Sequence, residues 1–158
     1  MRIFLSWYHQ DARDKDALLR DLVPALGLFA DLTVEWWDDS HLTCGEEFGP
    51  TIVSRIDAAD YGLLLLSTRY FSRPFIREHE LPRFAGPEPD KASLPVALSP
   101  LPPLDDTRDL GGVQRQLVFT RHGCSFTEQR GPDRVRFAND LAEAIRRRAT
   151  TGSGYRAL

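Results

Sequence analysis

A chain of 158 residues has room for one compact domain with a sizeable core and little more. Its 42% hydrophobic and 27% charged residues argue against disorder, and a formal net charge of -3 argues against a general nucleic-acid binder, which carries a basic balance. No stretch reaches the roughly 18 consecutive apolar residues of a membrane span, and none reads as a signal peptide, so a cytoplasmic location without membrane contact is the expectation.

The first apolar run is Ile3-Phe4-Leu5, closing on Ser6-Trp7-Tyr8. Leu18, Leu22 and Leu26, with Leu19 and Val23, then recur at helical spacing and predict one buried stripe, which Pro24 should bend or end early. A second strand reads Leu32 to Trp37; Trp36 and Trp37 are neighbours in it and must point to opposite faces. The polar stretch Asp38 to Gly45 precedes a helix in which Ile52, Val53, Ile56 and Ala59 share a face. Tyr61 to Leu66, with four consecutive leucines, is too short for a helix and lacks alternation, as a central strand buried on both faces does.

Ser67 ends that strand. A helical stretch from Arg69 to Phe84 follows, its regular part confined between Pro74 and Pro82. Gly86 to Asp90 reads as a loop and Leu94 to Leu98 as a fourth strand. Ser99 to Gln116, rich in Pro, Asp and Gly, reads as an irregular excursion, and Leu117 to Phe119 as a short fifth strand. Phe137, Leu141 and Ile145 mark a final helix from Asp133 to Arg148, with charges at both ends suited to its dipole. The domain is thus expected to occupy residues 1–149, with 150–158 a frayed tail or the start of a linker. Cys44 and Cys124 form no CxxC pair and read as free thiols, and Glu78-His79-Glu80 lacks the second histidine of a HExxH metal site.

Strand and helix in alternation predict an α/β fold: flavodoxin-like, a mostly parallel sheet of about five strands with helices on both faces. Ligands of such sheets gather at the carboxyl ends of the strands, which selects Ser6 to Asp11, Trp37 to Glu47 and Ser67 to Glu80. A phospho-accepting receiver domain of the same architecture is excluded, because Ser67 stands where it needs an Asp and no lysine follows the fifth run.

The same three segments carry a family likeness. Ile3-Phe4-Leu5-Ser6-Trp7-Tyr8-His9-Gln10-Asp11 resembles the opening strand and turn of TIR (Toll/interleukin receptor) domains. Trp37-Asp38-Asp39 through Gly45-Glu46-Glu47-Phe48 resembles the segment that contains the family's BB loop. Leu63 to Ser67, then Tyr70-Phe71-Ser72, Phe75-Ile76 and Glu80-Leu81, resembles the third strand and the helix bearing the family's glutamate. The likeness covers residues 1–84 and continues weakly through Leu94-Pro95-Val96. It departs from the commoner form in having Phe75 five residues before the glutamate, where a Trp usually lies four before it. Glu78 is therefore a competing position, and the following Leu81 favours Glu80.

The resemblance implies an NAD+ nucleosidase that needs no cofactor beyond NAD+ as substrate. It implies cleavage of the nicotinamide–ribose bond to give ADP-ribose or a cyclic product, in bacterial antiphage signalling. Glu80 is then the catalytic residue. Ser6, Trp7, Tyr8, Asp38, Asp39, Gly45, Ser67, Phe75, Ile76 and Arg77 are candidates for substrate contact. Several have structural readings too: the aromatics as packing, the two aspartates as loop holders, Gly45 as a positive-φ turn residue, Arg73 and Arg77 as a charged helix face or as partners of a pyrophosphate. The resemblance further implies homo-oligomerisation through the BB loop (Asp38 to Gly45) and helices, and an attached sensor domain or partner protein. The alternatives are a non-catalytic adaptor acting by homotypic TIR–TIR binding, and a nucleoside deoxyribosyltransferase, which the Trp37-Asp38 to Gly45 segment argues against.

Overall fold

The computed structural model describes residues 1–38 and 48–157, Phe48 and 151–157 by their backbone alone. Four strands form one parallel sheet in the order β2-β1-β3-β4, with β1 at Arg2–Ser6, β2 at Glu35–Trp37, β3 at Tyr61–Leu66 and β4 at Ser93–Ala97. The helices are α1 at Ala12–Gly27, α2 at Phe48–Ala58, the short α3 at Leu81–Phe84 and α4 at Pro132–Ala157. The fold is α/β and compatible with the flavodoxin-like architecture. No helix among the described residues is long and apolar enough to cross a membrane.

Alternation along each strand builds two cores. Ile3, Leu5, Leu63, Leu65, Leu94 and Val96 face α1 and α4, meeting Leu18, Leu22, Leu26, Phe137, Leu141 and Ile145. Phe4, Leu64 and Leu66 face the other way and meet Ile52 and Ile56 of α2, Phe84 of α3, and Leu110 and Val113 of the irregular excursion. The unbroken apolar run of β3 thus follows from burial on both faces. Gly62 in that strand is where the Phe84 ring approaches; a Cβ there would stand 2.5 Å from it. Trp36 packs toward the first core and Trp37 toward the second, as neighbours on a strand must.

Several expected boundaries shift for physical reasons. Among the described residues the sheet has four strands and not five, because Phe119 alone of the 117–119 run pairs with β4, through Phe119 N–H to the Pro95 carbonyl (2.8 Å) and Ala97 N–H to the Phe119 carbonyl (3.0 Å). Pro95 presents its carbonyl to that edge, and its missing N–H would have pointed the same way, so the ladder is interrupted. Beyond Phe119 the chain turns back at His122 and Gly123, both at positive φ, and Arg121 pairs with Cys124 instead. Leu117 is left 94% exposed.

The second strand spans only Glu35–Trp37. The first helix continues past the exposed Pro24 to Gly27, since a proline near the last turn forfeits a single hydrogen bond. The final helix runs on to Ala157, past its expected end at Arg148.

The segment between Pro74 and Pro82 is no ordinary helix. A 3₁₀ turn at Arg69–Ser72 leads to a π-helical turn at Ile76–Glu80, closed by Leu81 N–H bonding the Ile76 carbonyl five residues back. Pro82 accounts for the widening: its ring would collide with the Glu78 carbonyl in an α register, and it has no N–H to offer.

Candidate functional site

The chain passes from β1 outward to β2, then crosses over β1 to β3, so the carboxyl ends of β1 and β3 flank the crevice where strand order reverses. Ser6 closes β1 and Ser67 follows β3, and both are buried. The Ser6 hydroxyl lies 2.7 Å from the hydroxyl of Tyr70, a fully buried side chain. The Ser67 hydroxyl donates to the Asp11 carboxylate at 2.5 Å and accepts from Tyr70 N–H at 3.1 Å. Residues 64 and 56 positions apart in sequence are thereby joined across the reversal point.

Glu80 ends the π-helical turn and is 7% exposed, whereas the Glu78 side chain is 71% exposed and lies beside His79. In this turn Ile76 and Glu80 face inward together, while Glu78 and His79 face solvent. The Tyr70 phenol is pushed well above its ordinary range, first by burial and then by the negative charge of Glu80, with the Ser6 hydrogen bond acting in the opposite direction. Tyr70 and Glu80 therefore share one electrostatic environment, and the tyrosine stays neutral in it.

The other sequence candidates scatter. Trp7 packs against the first core, with the Lys15 ammonium 4.2 Å from its ring centre. Tyr8 packs against the second core and meets His9 with ring centres 4.8 Å apart. Asp38 is buried at the end of β2. Phe75 is half-buried against His79, ring centres 4.7 Å apart. Ile76 is wholly inside the second core. Arg77 reaches away to the irregular excursion, pairing with Asp109 at 2.7 Å and donating to the carbonyls of Phe71 and Asp109. Asp39 and Gly45, with the rest of the BB-loop segment to residue 47, lie outside the described residues.

Tyr70 and Asp11 have structural roles that the residue pattern alone does not assign. The signal was the Ser67-x-x-Tyr70 spacing, which lets a serine hydroxyl after a strand accept the N–H of the residue three further on. A cavity of about 570 Å³ opens at the opposite end of the sheet, lined by Met1, Leu32, Tyr61, Lys91 and Arg148 among others. Its polar groups are engaged structurally: the Met1 ammonium by the Thr33 carbonyl, and the Lys91 ammonium by the carbonyls of Asp57 and Ala59. No group of three or more His, Cys, Asp or Glu side chains with metal-binding geometry occurs among the described residues. The chain matches no protein-family model and no curated protein.

Proposed function

We propose that this chain is a TIR-type NAD+ nucleosidase with Glu80 as its catalytic carboxylate. The observation that carries the reading is the burial of that carboxylate, 7% exposed, within electrostatic reach of Tyr70, whose hydroxyl meets Ser6 at the carboxyl end of β1 where ligands of parallel sheets collect. A charge withdrawn from water costs several kcal/mol unless partners offset it, and such groups concentrate at functional sites.

Nicotinamide leaves NAD+ as a neutral base: the C1′–N bond breaks with its electron pair going to the ring nitrogen. Departure therefore needs no proton donor. Positive charge develops on the ribose, and one aimed carboxylate stabilises it. The same carboxylate orients the sugar by accepting hydrogen bonds from its hydroxyls. Water then adds at C1′ and loses a proton, so that NAD+ and water yield nicotinamide, ADP-ribose and H⁺. A nucleophile within the ADP-ribose unit in place of water gives the cyclic product. Glycoside hydrolysis with two carboxyl groups is the contrasting case, because its leaving group must be protonated.

The test is nicotinamide release by concentrated protein, comparing the native chain with Glu80→Gln and Glu78→Gln. Glu80→Gln should lose about 10²–10³-fold in turnover, the scale of removing a preorganised electrostatic group, and Glu78→Gln should stay near native. Equal turnover in all three sinks the assignment of Glu80. No turnover in an assembled native sample sinks the enzyme reading and favours a homotypic adaptor.

A further inference from the structure

Several described arginines that cross between elements meet a carboxylate: Arg77 meets Asp109, Arg83 meets Asp57 and Asp90, Arg121 meets Asp133, and Arg146 meets Asp31; Arg55 lies over the Trp37 ring and Arg148 meets the Tyr61 hydroxyl instead. Two at the crevice also meet other groups. Arg73 donates to the His9 ring nitrogen Nδ1 at 2.9 Å, and Arg69 to the Gln10 side-chain oxygen at 3.3 Å. Both bonds run from the 3₁₀ turn after β3 to the 3₁₀ turn after β1, and so span the mouth between the two strand ends. Neither acceptor is a carboxylate, and neither guanidinium forms an ion pair with a carboxylate among the described residues. Asp11, which follows Gln10 in the chain, is engaged by the Ser67 hydroxyl.

We propose that Arg69 and Arg73 form a subsite for a pyrophosphate group at the mouth of this crevice. A planar guanidinium matches phosphate oxygens in bidentate fashion, and two of them a few residues apart suit two linked phosphates. Exchange of these acceptors for phosphate oxygens is favourable, because it adds attraction between opposite charges to hydrogen bonds whose donor is already ionised. An anion there draws Arg73 from the His9 ring and so changes the surroundings of that ring. The inference rests on the Proposed function for the identity of the whole ligand, a dinucleotide, but the subsite can be read without turnover.

The experiment titrates inorganic pyrophosphate into the full chain by calorimetry, with the His9 ring resonances followed by NMR. The native chain is compared with Arg69→Gln/Arg73→Gln and with a charge-matched control, Arg20→Gln/Arg147→Gln, both of whose positions are exposed. The native chain should bind with a shift of the His9 signals. The crevice double variant should weaken binding by at least about tenfold, one charge-assisted contact's worth, while the control stays within about twofold to threefold. Equal weakening in both double variants, or binding that leaves His9 unmoved, overturns the subsite. An inactive protein that still binds pyrophosphate through these arginines keeps the subsite and sinks the NAD+ reading. An active protein whose KM for NAD+ is unchanged in the crevice variant does the reverse.

Discussion

Tyr70 joins the crevice to the core. Its hydroxyl has no water to turn to and uses Ser6, so Tyr70→Phe leaves the Ser6 hydroxyl buried without that partner. The expected loss is about 1 kcal/mol at neutral pH, a typical buried hydrogen bond. The tyrosine's raised pKa also sets a sign. In the unfolded chain the phenol ionises near pH 10, whereas in the fold burial and Glu80 keep it protonated beyond that. The folded state then holds more protons than the unfolded one, so stability falls as pH rises above about 10. Urea midpoints measured from pH 8 to 11 should drop more steeply in the native chain than in Tyr70→Phe; parallel profiles would mean that Tyr70 does not titrate differently in the two states. Sequence could name Ser6, Ser67 and Glu80 because strand ends and motif position select them. It could not show that Ile76 would vanish into the core or that Arg77 would turn away to Asp109, since both depend on where distant segments pack.

At the level of elements, the runs with the most regular apolar pattern were the legible ones. The third strand emerges where its leucines indicate, and the α1 stripe of Leu18, Leu22 and Leu26 is buried as its spacing requires. Prolines supplied the exceptions. Pro24 proved harmless near a helix end, Pro95 blocked a fifth strand, and Pro82 converted a helical turn into a π turn that brings Glu80 inward. One glycine of the irregular excursion lies tight against the chain that follows α3. Gly112 adopts φ +97°, and a Cβ on it would stand 1.8 Å from the Ala85 carbonyl oxygen that follows α3. Gly112→Ala should therefore destabilise by about 2–3 kcal/mol through strain and steric displacement. For a chain of this size that lowers the thermal midpoint by about 5–10 °C, readable by calorimetry. An unchanged midpoint would show that the excursion moves aside freely.

For the whole molecule, the self-association expected of the proposed enzyme makes a kinetic prediction. If a second copy completes the site, specific activity rises with protein concentration and falls away on dilution; activity strictly linear down to dilute monomer would locate the full site in one chain. Periodicity and run length dictated the α/β class, the parallel sheet and the two buried faces, because those follow from which side of each element must avoid water. The resemblance in the first 84 residues supplied the expectation of a catalytic glutamate. Tertiary structure alone decided the rest: that Ser6 meets Tyr70, that Ser67 meets Asp11, and that Glu80 is buried while Glu78 is not. The reason is physical. Local pattern records a residue's preference for water or core, whereas a site is made by hydrogen bonds and fields between residues that only chain reversal at the β1–β3 crevice brings within reach.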